Sequence, residues 1–290
     1  DQTPDSSELV MHFDMDGLQD DPETNRLSEI TSEQESSTTG SDIDEFEDEL
    51  QEDLDIDPDS ISTVLVFVED IESSEQPREQ NYGVITHGSF EAEAVIDAIQ
   101  QQEGDLGETT YKGHTLYTTE EDGLRGSTSA VGVLGDGQVI FGDKQSVESA
   151  IDTAEGDADA LSGDLRSEYD RTTDEGLVGV AIEYPEETVP EQGGPAGVDP
   201  SVFESVTIMS AEYYTSDGAI GTNVRLLTET SSDAEDITSV IDGALVTFGN
   251  TGIPEVDAEI DNLETQQDGS TVTASYEGDL DDIEALLQSF

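Results

Sequence analysis

The sequence has no cysteine and no tryptophan, and it holds only three histidines. Without cysteine there is no disulfide framework, no thiolate zinc site and no cysteine nucleophile. Basic charge is almost as scarce. Eight Lys+Arg, of which only Lys112 and Lys144 are lysines, stand against 72 Asp+Glu, giving a net charge of −64 over 290 residues. Nucleic acid is therefore not an expected partner, because a phosphate backbone needs a basic footprint. An anionic lipid surface would repel the chain as well. The longest apolar run, Val64 to Val68, is too short to cross a bilayer.

What is present is acid, in quantity. High charge with modest hydrophobicity is also the mark of disorder. Here Leu, Ile, Val and Phe together stand just above the ~20% level below which disorder is the default. They cluster in strand-like and helix-like runs between Asp-Gly, Gly and Pro punctuation, which predicts a folded chain. On a folded surface of roughly 12,000 Å², the acids sit about 13 Å apart. At physiological salt, with a screening length of about 8 Å, each still feels its neighbours; at 1 M salt the length falls to about 3 Å. The acidic coat is thus expected of an extreme halophile, a haloarchaeon, as an adaptation for solubility in brine.

Residues 1–8 read as a polar tether, Asp1-Gln2-Thr3-Pro4-Asp5-Ser6-Ser7, as an exported and processed chain would begin. Leu9, Met11, Phe13 and Met15 alternate with Val10, His12, Asp14 and Asp16, predicting a half-buried strand. Residues 19–41 form an acidic loop or weak helix, and Ile43, Phe46 and Leu50 give a helical spacing. Ile61–Val68 is apolar on both faces and predicts a central strand. Tyr82–His87 follows, then a helix burying Val95, Ala98 and Ile99. Strands are predicted at Thr109–Thr118, Val131–Leu134 and Gln138–Phe141, the last two joined by Asp136-Gly137. Asp143 caps a helix bearing Val147, Ala150, Ile151 and Ala154.

The second half echoes the first. Leu177–Glu183 is a strand, followed by a Pro/Gly-rich loop at 185–200. Val206–Tyr214 pairs with Ala219–Thr228 around Asp217-Gly218. Asp233 starts a helix with Ile237, Val240, Ile241 and Ala244. Ile260–Gln266 pairs with Ser270–Tyr276 around Asp268-Gly269, and Asp279 caps a final helix. Asp143, Asp233 and Asp279 each precede apolar residues at offsets +4, +7 and +8. The fold class is α+β with two similar lobes, 9–174 and 175–290, each an antiparallel sheet with helices packed on one face.

Residues 131–151, Val-Gly-Val-Leu-Gly-Asp-Gly-Gln-Val-Ile-Phe-Gly-Asp-Lys-Gln-Ser-Val-Glu-Ser-Ala-Ile, resemble a hallmark of exported bacterial and archaeal proteins of unknown function. In these a Gly-Asp-Gly-x-Val strand runs into a Val-x-x-Ala-Ile helix. The resemblance implies an extracellular, cell-surface protein, tethered in haloarchaeal members through a lipidated cysteine upstream of a segment like Asp1–Ser7. It implies no activity.

Candidate chemistry is sparse. Asp53-Leu54-Asp55-Ile56-Asp57 has the alternating acids of a calcium loop, but Pro58 replaces the turn glycine and Val64 the bidentate Glu. Asp14-Met15-Asp16-Gly17 is likewise incomplete. His12 with Asp14 and Asp16 could hold a cation weakly. Thr86-His87-Gly88-Ser89 sets an imidazole beside a hydroxyl, which reads more simply as a strand end and a helix cap. Gly132–Gly137 has a dinucleotide-like glycine spacing but precedes a strand. Tyr213-Tyr214 is the one adjacent aromatic pair, its members on opposite strand faces. No catalytic, cofactor or metal residue is assigned. The expected role is a non-enzymatic surface protein with envelope proteins or itself as partner, its carboxylates binding cations weakly. The alternatives are a carboxylate-dependent hydrolase, or a filament or virion subunit whose strand Leu9–Met15 pairs with a neighbouring copy.

Overall fold

The computed structural model describes residues 2–32, 60–71, 81–103, 106–119, 129–135, 137–184, 200–249 and 253–287. Outside them lie the expected helix around Ile43–Leu50, the acidic run Asp53–Asp57 and residues 185–199 of the Pro/Gly-rich loop. The chain is α+β and forms two compact units. The first comprises Asp1–Asp20 and Ser28–Gly163; the second comprises Asp21–Leu27 and Asp164–Phe290. The boundary therefore falls at 163/164, not near 174, and a short early segment belongs with the second unit.

The first unit contains β1 (Leu9–Asp14), α1 (Met15–Asp20), β2 (Ile61–Val68), β3 (Tyr82–Gly88), α3 (Ala92–Glu103), β4 (Leu106–Tyr111), β5 (His114–Thr119), β6 (Ser129–Gly135), β7 (Gln138–Asp143) and α4 (Lys144–Glu155). Helix α2 (Pro22–Ser32) runs across the unit boundary in the chain. The strands lie in the order β1-β2-β3-β7-β6-β5-β4, every neighbouring pair antiparallel. The expected single strand Thr109–Thr118 is a hairpin. Lys112 and Gly113 adopt φ of 47° and 95°, the left-handed pair that a tight turn between twisted strands needs.

Adjacent residues on β3 (Val84, Ile85) and on β7 (Val139, Ile140) are all buried, so these strands are covered on both faces. Helices on one face alone would have left one member of each pair wet. Helix α4 buries Val147, Ala150 and Ile151, but Ala154 is exposed and Thr153 takes the inward position. On α3 Val95 is buried as the spacing predicts, Ala92 and Ile96 are buried beside it, and Ile99 is half-buried. Each fully buried Ile contributes about 1.5–3 kcal/mol. Gly83 lies opposite Phe67, whose ring occupies the space a Cβ would need.

The N-terminal residues are not a free tether. Thr3 and Ser7 are buried, Pro4 bridges Ala160, and Leu161 N–H donates to the Thr3 carbonyl at 2.9 Å. Asp5 N–H donates to the Asp159 carbonyl at 3.1 Å, so the segment's backbone groups are satisfied by residues 159–161. Strand β1 also departs from simple alternation, since Val10 is fully buried while Leu9, Met11 and Phe13 are half-buried. It stops at Asp14, whose carboxylate accepts from Gly17 N–H at 3.0 Å and opens α1. All six β1 residues pair with β2, so this strand lies within its own sheet, as the filament alternative did not ask.

The second unit contains α5 (Gly163–Glu175), β8 (Val178–Glu183), a 3-10 turn (Pro200–Ser205), β9 (Val206–Ser216), β10 (Ala219–Thr228), α6 (Ser231–Phe248), α7 (Pro254–Asp261), β11 (Leu263–Asp268), β12 (Thr271–Asp279) and α8 (Leu280–Leu287). The order is β11-β12-β10-β9-β8, again antiparallel throughout. Asp217 and Gly218 make the β9–β10 turn with φ of 46° and 93°, as their sequence predicts. Ile260, expected in a strand, lies in α7, which Pro254 opens at its first position.

Helices cover both faces here too. On one side α6 packs Ala234 and Ile237 against Val206, Val272 and Leu226. Arg225, next to Leu226, points the other way and meets Glu168 of α5. Thr172 of α5 lies where a Cβ on Gly179 of β8 would sit, so that glycine admits the helix. Of the three expected capping aspartates only Asp279 acts as predicted, accepting from Asp281 N–H at 2.8 Å. Asp143 has no side-chain bond to α4 and instead accepts from Tyr82 N–H at 3.3 Å. The cap of α6 is Thr230, with Asp233 three residues inside it.

Candidate functional site

The six cations among the described residues are all tied into ion pairs. Lys112 lies 2.8 Å from Asp152 and 2.7 Å from Asp157. Lys144 pairs with Glu148, and Arg166 with Asp170, each one helical turn on. Arg26 meets Asp281 and Glu284 at 2.5 and 2.9 Å. Arg225 and Arg171 both approach Glu168, at 2.9 and 3.7 Å. Glu168 is buried, and it also accepts from Ser210 at 3.0 Å. None of these six offers an unpaired positive charge to an anionic ligand.

The histidines are occupied in other ways. Burial lowers the pKa of His12, against a smaller upward pull from Asp14, and its Nδ1 is buried without a partner. Asp14 is engaged with Gly17, and Asp16 is exposed on α1, so the three form no chelate; no cluster of three metal-ligating side chains occurs among the described residues. His87 Nε2 accepts from the Gln138 amide at 3.2 Å, and desolvation lowers its pKa. Its imidazole is thus engaged by Gln138 and not by Ser89. Ser89 does not cap α3, which begins at Ala92. His114 bridges the Val133 carbonyl and Glu155 at 3.1 and 3.0 Å, pinning the β4–β5 hairpin to the end of α4 beside the Tyr111–Asp152 bond.

Residues 21–27 form a polar clip on the second unit. Asp21 accepts from Thr24 N–H and from Thr215 Oγ1, both at 2.6 Å, and Glu23 accepts from Gly218 N–H at 2.9 Å. Partial burial pushes the Asp21 carboxyl upward, but the donors from Thr215, Thr24 and Glu23 outweigh it and hold it below its ordinary value. Thr24 and Tyr213 hydroxyls lie 3.2 Å apart. Burial raises the pKa of Tyr213, and its neighbour Tyr214 covers Gly221 on the opposite face, so the pair forms no shared platform.

One open hollow of about 360 Å³ is lined by Ser201, Val202, Glu204, Ser205, Glu229, Asp233 and Asp236. Its four carboxylates attract cations and repel anions. Asp233 is fixed there by the Thr230 hydroxyl at 2.6 Å. The glycines of Gly132–Gly137 lie on β6 and its turn, within the β6–β7 ladder.

A scan against protein-family models matches none, and a search of curated proteins finds no match. Among solved structures, crystal form III of TP0453 aligns with 99% of this chain and 98% of its own, at TM-score 0.50 and 14% identity. The likeness is one of fold. Crystal forms IV and I of TP0453 align at 0.49 and 0.47, each with 12% identity, over 99% of this chain and 95% of theirs. No helix among the described residues is long and apolar enough to cross a membrane.

The Glu168 network and the 21–27 clip are absent from the sequence reading. Glu168 looks there like any other helical acid. The one signal for the clip is Asp21-Pro22-Glu23-Thr24, a capping aspartate followed by a proline at the first helical position.

Proposed function

We infer that this chain is a non-enzymatic, extracytoplasmic surface protein of an extreme halophile, lipid-anchored in its native form and acting as a binding, scaffold or envelope component. The observation that carries the reading is that the scarce chemistry-bearing side chains already serve the fold. The six described cations sit in ion pairs, His87 engages Gln138, and His114 bridges Val133 and Glu155. The remaining charged surface is carboxylate, which binds cations weakly and keeps a protein dispersed in brine. The two units are further inferred to be similar lobes related by duplication; support comes from the hairpin-then-helix order recurring in β6–β7–α4, β9–β10–α6 and β11–β12–α8.

Fractionation of the native host, with its gene intact, tests the reading. Recovery in the envelope fraction and release by detergent are expected; recovery in the cytosol overturns it. The second reading is a carboxylate-dependent hydrolase, supported by the Glu204–Glu229–Asp233–Asp236 hollow. Turnover of a glycoside or ester in molar salt, abolished by Glu229→Gln, would establish it in place of the first.

A further inference from the structure

Of the three histidines, His114 is the one whose two ring nitrogens both meet an oxygen among the described residues. Its Nδ1 lies 3.1 Å from the Val133 carbonyl, and its Nε2 lies 3.0 Å from a Glu155 carboxylate oxygen. A carbonyl and a carboxylate only accept hydrogen bonds, whereas a neutral imidazole carries a single N–H. The doubly protonated ring therefore makes both bonds. The neutral ring turns a bare nitrogen toward one of the two oxygens.

The position of the ring gives that second proton a consequence. Strands β4 and β5 pair along their whole length, from Leu106 to the turn, but β5 joins β6 only through Leu116, Tyr117 and Thr118. The turn end, Tyr111 to His114, lies beyond the β5–β6 ladder and is held by side chains. Lys112 reaches Asp152 and Asp157, Tyr111 donates to Asp152 at 2.8 Å, and His114 takes Val133 and Glu155. The carboxylates of Asp152, Glu155 and Asp157 thus gather at the carboxyl end of α4, which Gly156 caps and which has no basic residue in its last turn. Such a helix end carries partial negative charge and favours cations. The hairpin supplies them. The hydrogen bonds from Asp152 and Asp157 keep the Lys112 ammonium protonated, while His114 is a cation only with both ring protons. Strand β6 carries no ionisable side chain, so the groups around the ring are Tyr111, Lys112, Asp152, Glu155 and Asp157, with Glu148 one turn further back on α4.

We propose that His114 is a proton-operated clasp for the turn end of the β4–β5 hairpin. With both ring protons in place it ties the hairpin to the Val133 carbonyl and to Glu155, closing the turn on α4. Loss of one proton leaves Tyr111 and Lys112 to hold the turn through Asp152 and Asp157. The turn end then loosens, while Leu116, Tyr117 and Thr118 keep their ladder with β6. Histidine is the side chain that ordinarily changes charge between about pH 5 and pH 8, so the clasp responds to modest changes in the medium. The device goes beyond the envelope reading and does not depend on where the protein resides.

Hydrogen exchange over residues 109–116 of the full chain in molar KCl, corrected for the intrinsic pH dependence of exchange, tests this. It is run beside an NMR titration of the three imidazoles. In the wild type, protection is expected to fall about tenfold as pH rises, the loss of one hydrogen bond to a charged group. The midpoint of that fall should coincide with the titration of the His114 ring. His114→Gln, which keeps a donor but cannot titrate, should show weak protection at every pH and no step. The coincidence of midpoints is read on the wild type alone and stands without the variant. Protection that ignores the His114 titration, a step that follows another group, or the same step in His114→Gln would each overturn the proposal.

Discussion

Glu168 carries the same charge as the surface acids, yet its side chain is 5% exposed and bonded to Ser210 and Arg225. Removing one partner of a buried pair leaves an uncompensated charge, which typically costs about 3–5 kcal/mol. Arg171 and Ser210 remain near Glu168, so Arg225→Ala should cost about 3 kcal/mol by denaturation in molar salt. Glu168→Gln, which keeps a hydrogen-bonding group without the charge, should cost less. His12 makes the opposite case. Its folded pKa lies below the ordinary 6.5 because burial disfavours the imidazolium. Stability from the neutral ring is therefore present above pH 6.5 and lost as pH falls through the depressed folded value. Denaturation at matched salt on either side of this window should show the loss in the wild type and not in His12→Leu.

At the scale of elements, the acids that punctuate the chain prove unequal. A capping aspartate, an aspartate inside the first turn and one bonded elsewhere share the same offsets to the apolar residues that follow. Asp279, Asp233 and Asp143 fill these three roles in turn. Thr230 caps α6, accepting from Asp233 N–H at 3.3 Å, so Thr230→Ala should destabilise by about 1 kcal/mol while Asp233→Ala costs less. Thermal unfolding distinguishes them. The 21–27 clip rests on polar bonds, and its Asp21 pKa is depressed below 3.8. Its contribution is present above pH 3.8 and lost as pH falls through the lower folded value. Hydrogen exchange at Thr24 and Gly218 should accelerate over that acid window in the wild type. In Asp21→Asn it should already be fast at neutral pH.

At the scale of the whole molecule, a net charge of −64 sets the conditions under which everything else holds. Dialysis from molar salt to about 10 mM lengthens screening to about 30 Å, so many carboxylates repel at once. Near-ultraviolet circular dichroism, which here reports the eight tyrosines in the absence of tryptophan, should collapse in that step and return with salt. An unchanged spectrum would count against the brine adaptation.

The sequence by itself determined the acid coat, the α+β class, the central strand Ile61–Val68 and the hairpin turns at Asp217-Gly218 and Asp268-Gly269. Periodicity and left-handed turn residues are local properties, legible without knowing what lies opposite. Tertiary structure alone decided which acids are buried, which faces are covered and where the N-terminal residues go. Glu168 became a core residue because β10 presents Arg225 across from it. Thr3–Ser7 became structure because residues 159–161 meet their backbone, and residues 21–27 joined the second unit through Thr215, Gly218 and α8. Each of these depends on partners dozens to hundreds of positions away, and no local pattern encodes them.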